Sequence, residues 1–379
     1  MTSQTFKITF VLVAVLSAGI IYYQYQYYRT PMADIETSQA EESGGALDAQ
    51  EEIMETEGVL HSIPLDEIIT GNPVKDGIPS IDEPEYESVS AADQYLNDDG
   101  FGLAVEVGGS YRFYPYQILV WHEIVNDIFG GQDLLVTYCP LCFTGIVFER
   151  EAAGETVEFG TSGKLHNSNL LMYDRKSDSL WSQAMGKAVV GELTGASLTL
   201  YPSLTISWAD FRDQFPYGKV LSRDTGHTRD YTSDPYGPRG YYENASIMFP
   251  ISNEDGRAHP KTVIYGYNTE AGASAYALDT VKDEGLVNDV VGGDALLVVW
   301  DSTLNAVKGF SRQLDEDVLE FTQTDDFMTD TATGSLWNYD GEAVSGDYRG
   351  RQLQAITLTN SFWFSWATTY PETDLFTKE

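Results

Sequence analysis

The 379-residue sequence is 42% hydrophobic and 13% aromatic, a globular composition that excludes collagen-like, coiled-coil and wholly disordered proteins. Its 58 acidic and 22 basic residues give a formal net charge of −36, so we expect no nucleic-acid partner bound through a broad basic surface. The two cysteines lie three positions apart, which excludes a disulfide-dense scaffold.

An apolar run covers residues 8–23 and follows Lys7. Such a run predicts either a cleaved signal peptide or an uncleaved signal anchor. The small residues Ser17, Ala18 and Gly19 lie inside the run rather than after it, so we favour a transmembrane anchor over residues 1–29. The membrane is then a partner through this helix, and the globular part is extracytoplasmic, at the cell surface or in the periplasm.

The next segment is strongly acidic. Residues 32–58 contain nine acidic residues and neither Lys nor Arg. A segment with so few large apolar residues cannot offset the entropy lost on ordering. We therefore predict a disordered stalk over residues 30–60.

Two later segments repeat each other. Residues 125–136 and 287–298 agree at eight of twelve positions, and further matches follow in the same order, including Trp208 with Trp366. This correspondence indicates two copies of one module. We predict a first β module over 61–225, a connector rich in Tyr, Pro and Gly over 226–262, and a second, degenerate β module over 263–379.

The local patterns within both copies favour strands. Residues 134–138 and 296–300 are apolar, β-branched or aromatic runs that follow Gly-Gly turns, and residues 208–215 before Pro216 form the best short helix. No long amphipathic helix is predicted in the globular part. The fold class is therefore mainly β, with two pseudo-symmetric β modules and short helices after an N-terminal transmembrane helix.

The two copies differ at residues that carry chemistry. The first copy has Trp-His-Glu at 121–123, where the second has Asp-Glu-Gly at 283–285. The first has Cys-Pro-Leu-Cys at 139–142, where the second has Asp-Ser-Thr-Leu at 301–304. His166 also lacks a histidine counterpart. Residues needed only for the fold should be alike in both copies, so these differences indicate a functional site in the first copy.

Paired thiols at this spacing can bind a soft metal ion, exchange reversibly with disulfides, or form a structural pair. A metal needs more ligands than two sulfurs, and imidazole is the natural supplement. We expect Cys139, Cys142, His122 and His166 to form a zinc or copper site, with Glu123 orienting an imidazole. Such a site would serve metal handling or electron transfer. A thiol–disulfide oxidoreductase and a non-catalytic surface or interaction protein with a structural cysteine pair are the alternatives.

The motifs also carry a family resemblance. The longest are Trp121-His122-Glu123-Ile124-Val125-Asn126-Asp127 and Thr137-Tyr138-Cys139-Pro140-Leu141-Cys142, with further segments at 76–79, 81–82, 84, 162–165, 167–175, 179–183 and 234–236. Together they resemble the family called domain of unknown function 3179, whose members are uncharacterised exported or membrane-anchored proteins, over about residues 71–371. The resemblance implies an aromatic residue where His166 lies and a glycine where Phe143 lies. It therefore favours His122 over His166 as a ligand, and it implies no reaction.

Overall fold

The computed structural model describes residues 53–237, 240–324 and 327–377. The predicted transmembrane segment over 1–29 lies outside these residues, as does the predicted stalk up to residue 52. Within the described ranges, the helices are all too short or too polar to cross a membrane. The described chain is mainly β and forms several sheets, as the sequence patterns predict.

The first half of the described chain contains the strands on either side of the Cys-x-x-Cys segment. The strands are β1 (Met54–Thr56), β2 (Val59–His61), β3 (Ile69–Thr70), β4 (Tyr86–Ser88), β5 (Phe101–Val107), β6 (Ser110–Pro115), β7 (Ile124–Phe129), β8 (Gln132–Cys139), β9 (Thr144–Glu149), β10 (Glu151–Ala152), β11 (Glu155–Thr156), β12 (Phe159–His166), β13 (Asn169–Asp174), β14 (Leu180–Ser182), β15 (Lys187–Val190), β16 (Ser203–Ser207) and β17 (Lys219–Leu221). The helices are a 3-10 helix (Leu65–Glu67), α1 (Val89–Ala92), α2 (Tyr116–Leu119) and α3 (Trp208–Gln214). The sheet orders are β1-β2-β15-β14-β13-β12-β3, β16-β5-β6-β17-β4, β7-β8-β9 and β10-β11.

The second half is built from similar short strands. The strands are β18 (Val263–Thr269), β19 (Gly272–Ala277), β20 (Leu286–Val291), β21 (Asp294–Asp301), β22 (Ala306–Ser311), β23 (Gln313–Leu314), β24 (Asp317–Val318), β25 (Phe321–Gln323), β26 (Met328–Asp330), β27 (Leu336–Trp337), β28 (Ala343–Ser345), β29 (Ala355–Ile356), β30 (Thr359–Phe362) and β31 (Asp374–Phe376). The helices are α4 (Leu278–Glu284) and α5 (Trp363–Thr369). The sheet orders are β30-β18-β19-β31, β20-β21-β22-β29, β25-β26-β27-β28 and β23-β24.

The order of elements in the first half recurs in the second. The series β5-β6-α2-β7-β8-β9 is matched by β18-β19-α4-β20-β21-β22. Each half also has one parallel pair at its end, β17 with β6 and β31 with β19. Even single side chains correspond. The amides of Asn126 and Asn288 each donate to a backbone carbonyl 33 residues later at 2.8 Å, those of Phe159 and Phe321.

The tryptophans shared by the two copies lie in the core. Trp181 and Trp337 are fully buried, and each indole N–H donates to the carboxylate of a turn aspartate, Asp174 at 3.0 Å and Asp330 at 3.2 Å. These carboxylates also accept backbone N–H groups of their own turns. The Asp residues therefore close turns and anchor the core.

The predicted stalk ends earlier than the sequence indicates. β1 and β2 form an antiparallel hairpin, and His61 pairs with Val190 at the edge of the seven-stranded sheet. The pairing with an existing sheet edge supplies backbone hydrogen bonds that the acidic segment lacks by itself. The prediction of disorder up to residue 60 is therefore wrong for residues 54–60.

Candidate functional site

The Cys-x-x-Cys segment forms the turn between β8 and β9. Cys139 ends β8, and the backbone N–H of Cys142 donates to the Cys139 carbonyl at 3.2 Å. Phe143 then takes a left-handed conformation with φ 53°, where a glycine is the least strained residue. This turn brings the Sγ atoms of Cys139 and Cys142 to 3.5 Å, and both residues are at most 1% exposed. The thiols are therefore in mutual contact and shielded from water.

Glu123 is a buried acid that interacts electrostatically with Cys139, and its backbone conformation is strained. Its φ is 62°, and its counterpart in the second copy is Gly285 with φ 71°. The two residues are structurally equivalent, because Glu123 accepts the N–H of Tyr138 at 2.8 Å and Gly285 accepts that of Trp300 at 2.9 Å. A left-handed conformation costs a non-glycine residue about 1–2 kcal/mol. A buried acid therefore occupies a backbone position that suits glycine.

The carboxyl and the thiols shift one another's pKa. Burial, and secondly the neighbouring Cys139, raise the pKa of the Glu123 carboxyl well above its usual range. Burial also raises the pKa of the Cys139 thiol. Burial opposes ionisation of Cys142 as well, but hydrogen bonds from Cys139, Ser365 and Asn169 outweigh it and lower the pKa of that thiol. The hydrogen bonds donated to Cys142 therefore favour negative charge on this sulfur, whereas its 3.2 Å contact with the Ser168 carbonyl oxygen favours the protonated thiol.

A chain of buried amides and hydroxyls holds Cys142. The amide of Asn169 donates to Cys142 Sγ at 3.4 Å and to Gln183 Oε1 at 2.9 Å. The Gln183 amide in turn donates to Thr137 Oγ1 and to the Thr144 carbonyl, both at 3.1 Å. Each of these side chains is buried and hydrogen-bonded. A satisfied network of this kind fixes the position of the sulfur it contacts.

This polar network is specific to the first copy. In the second copy Val299 and Ala306 occupy the strand positions of Thr137 and Thr144. Sequence reasoning did not single out Asn169 or Gln183. The sequence contains part of this information, because Thr137 and Thr144 of the first copy are replaced in the second by the apolar Val299 and Ala306.

The thiols are covered by residues from distant parts of the chain. The Tyr241 hydroxyl donates to the Leu141 carbonyl at 2.8 Å, and the Phe362 N–H donates to the Cys142 carbonyl at 2.8 Å. The rings of Phe143 and Phe362 stack with centroids 5.4 Å apart. The predicted connector and strand β30 therefore close the site together.

His122 is buried and has other partners than the cysteines. Its Nδ1–H donates to the Pro79 carbonyl at 2.8 Å, so Nε2 accepts from the Tyr231 hydroxyl at 2.7 Å. The Thr225 hydroxyl approaches the same Tyr231 oxygen at 2.6 Å. Both ring nitrogens are thus occupied by hydrogen bonds within the fold.

His166 lies at the end of β12, and its Nε2 is 3.1 Å from the Glu67 carboxylate. Nowhere in 53–237, 240–324 and 327–377 do three His, Cys, Asp or Glu side chains form a group that could hold a metal ion. The structure therefore brings the two thiols together but gives each predicted histidine ligand a separate set of contacts. The expected zinc or copper site has its two sulfurs in place and no third ligand beside them among these residues.

We expect His122 to make the protein less stable in mild acid. Burial lowers the pKa of His122 from 6.5 to about 4, against the hydrogen bond to Pro79 and with help from His227 and Arg229. A folded-state pKa below the unfolded one gives stability that is complete above pH 6.5 and is lost as the pH falls to about 4. The free energy of unfolding should decrease by about 2 kcal/mol over this window.

Urea unfolding at about pH 7 and about pH 4.5 measures this change. His122→Gln should remove most of the difference between the two pH values, because glutamine stays neutral. The exposed His259 supplies the control, and His259→Gln should retain it. An unchanged pH dependence in His122→Gln would contradict the assignment.

Comparison with known proteins identifies one family. A family model described as "Protein of unknown function (DUF3179)" matches residues 75–373, which contain the two cysteines, Glu123 and the two predicted histidine ligands, His122 and His166. No curated protein and no solved structure matches the chain.

Proposed function

The chain belongs to the DUF3179 family, and we propose that its Cys139–Cys142 pair is a redox-active dithiol that exchanges with disulfides. One observation carries this proposal. Three features occur together, and only in the first copy. The two sulfurs lie 3.5 Å apart, a buried amide hydrogen-bonds to Cys142, and Glu123 has a strained backbone conformation. A pair with a purely structural role needs neither the amide chain on Cys142 nor a carboxyl at Glu123.

The exchange needs two successive attacks on sulfur. The Cys142 thiolate attacks one sulfur of a partner disulfide, the partner S–S bond breaks, and one partner thiolate leaves. Cys139 then gives its proton to Glu123 and attacks Cys142 Sγ, which breaks the mixed disulfide and releases the second partner thiolate. The two protein sulfurs lose two electrons and the partner gains them. The first partner thiolate takes a proton from water, which replaces the one that Cys142 lost, and the second takes the Cys139 proton from Glu123.

The environment of each group suits its step. Cys142, whose pKa is lowered, provides the attacking thiolate. Glu123 has its pKa raised by burial, which makes its carboxylate a stronger base and closer to a thiol in basicity. The raised pKa of Cys139 keeps its proton in place until the second step. The buried position of both sulfurs means that Tyr241 must move away for a partner to enter.

Oxidised glutathione added to the reduced full-length protein tests the proposal. Alkylation of free thiols followed by mass spectrometry should show a Cys139–Cys142 disulfide that dithiothreitol reverses. Thiols that stay fully alkylatable after long incubation would refute it. Elemental analysis of the same sample tests the metal site: about one zinc or copper per chain that disappears in Cys139→Ser would favour that alternative.

The proposal places the module outside the cytoplasm, tethered by the apolar run over 8–23. Disulfide bonds form and persist mainly in exported proteins, because the cytosol keeps thiols reduced. The full chain should remain in the membrane fraction after a carbonate wash, and complete release into the soluble fraction would contradict the anchor.

A further inference from the structure

A second candidate site lies around the start of the predicted connector, and neither cysteine lines it. Residues of the segment 222–232, together with Glu87 of β4, form an open cleft of about 510 Å³. Arg223, His227 and Arg229 all line it. Three basic side chains in one cleft are notable in a chain with 58 acidic and 22 basic residues.

The two arginines of the cleft are not engaged by carboxylates. In the part of the chain that the structure describes, neither Arg223 nor Arg229 makes a salt bridge, whereas Arg212 pairs with Asp93 at 2.8 Å. The guanidinium of Arg223 lies over the Tyr95 ring, 3.6 Å from its centroid. Stacking of this kind orients a guanidinium. Arg223 also forms a hydrogen bond with the Tyr95 side chain, and Arg229 Nη1 donates to the Thr228 carbonyl at 2.9 Å, so each guanidinium keeps further N–H donors.

Two of the three acidic residues that line the cleft accept hydrogen bonds from neighbouring side chains or backbone. Asp230 accepts from the backbone N–H of Thr232 at 3.1 Å and from its hydroxyl at 2.6 Å. Glu87 accepts the Tyr95 hydroxyl at 2.6 Å. Asp224 is the third acid and belongs to the lining as well. Within the described ranges, the cleft thus holds three carboxylates and two guanidiniums, and none of the three carboxylates forms a salt bridge with either arginine.

Tyr231 gives the cleft a fixed wall. Its hydroxyl is held between Thr225 and the buried His122, which is neutral at physiological pH. The ring centroid of His227 lies 5.6 Å from that of His122, and the charge of Arg229 lowers the pKa of His122, so both side chains lie close to this wall. Arg229, His227 and Tyr231 thus line the same cleft.

We propose that this cleft binds a small oxyanion, such as the phosphate, sulfate or carboxylate group of a larger ligand, through Arg223 and Arg229 with His227 beside them. A guanidinium offers paired N–H donors that match the oxygens of such groups. Two guanidiniums without carboxylate partners, at the rim of a preformed cleft, are the observation that carries the proposal. The site is independent of the dithiol.

Titration of the full-length protein with inorganic phosphate at constant ionic strength tests the proposal, with Tyr and Arg side-chain signals in NMR spectra as the readout. Arg229→Gln and Arg223→Gln should each weaken binding about tenfold, the effect of one charge-assisted hydrogen bond. Lys219→Gln changes the net charge equally at an exposed residue outside the cleft, and it should bind as the wild type does. Parallel titrations with sulfate and citrate show which oxyanion fits best.

Two results would overturn the proposal. One is the absence of saturable binding for phosphate, sulfate and citrate. The other is equal binding by the two arginine variants and Lys219→Gln, which would indicate a general charge effect rather than a site.

Discussion

Replacement of Cys142 by serine is expected to slow the reaction with oxidised glutathione by at least about a hundredfold. The reason is that Cys142 is the sulfur on which negative charge is stabilised, through hydrogen bonds from Asn169, Ser365 and Cys139. Cys139→Ser should keep the first attack and stop before the second. It should therefore accumulate a mixed disulfide between glutathione and Cys142, which mass spectrometry detects directly.

The two serine variants serve as controls for each other. Both replace one sulfur with oxygen at a buried position, so a general loss of packing should affect them alike. The proposed order of attack predicts unlike products. If the mixed disulfide accumulated on Cys139 in Cys142→Ser as fast as on Cys142 in Cys139→Ser, the assignment of the attacking sulfur would be wrong.

Glu123→Gly is expected to stabilise the protein and to impair its chemistry. Glycine takes the left-handed conformation without strain, as Gly285 does at the equivalent position, so the free energy of unfolding should rise by about 1 kcal/mol. Loss of the carboxyl removes the group that accepts the Cys139 proton, so the second step should slow by about a hundredfold. Urea unfolding and the rate of intramolecular disulfide formation measure the two effects.

Glu123→Gln separates the two effects. Glutamine retains the backbone strain and lacks the basic oxygen, so the variant should be as slow as Glu123→Gly and should gain less stability. A Glu123→Gln protein that closes its disulfide at the wild-type rate would remove Glu123 from the mechanism. A Glu123→Gly protein less stable than the wild type would show that the Glu123 carboxyl stabilises the fold, rather than serving the proposed reaction.

The sequence predicts much of the fold because its local patterns agree with the final packing. Apolar, β-branched and aromatic runs after Gly-Gly turns give the β7–β8 and β20–β21 hairpins, and the tryptophans common to both copies are core residues. The short helix before Pro216 is capped by Ser207, whose hydroxyl accepts the Asp210 N–H at 3.1 Å. Local chemistry determines each of these features.

The site is harder to predict because its contacts join distant segments. Cys139 lies 17 positions after His122, and this spacing permits either contact or separation. The deciding partner is Tyr231, 109 residues after His122, and no local pattern links the two. The same holds for Gln183, which reaches Thr137 from 46 residues away. Long-range contacts of this kind form only when the sheets pack together, so a local sequence pattern does not reveal them.

A redox titration of the reduced full-length protein tests the central claim most directly. The protein is equilibrated in mixtures of reduced and oxidised dithiothreitol, trapped with an alkylating agent and weighed by mass spectrometry. A working dithiol predicts one two-electron transition at Cys139 and Cys142, in which the disulfide-to-dithiol ratio changes tenfold for about 30 mV. Thiols that never oxidise across the whole series, or a bridge that no mixture reduces, would contradict it.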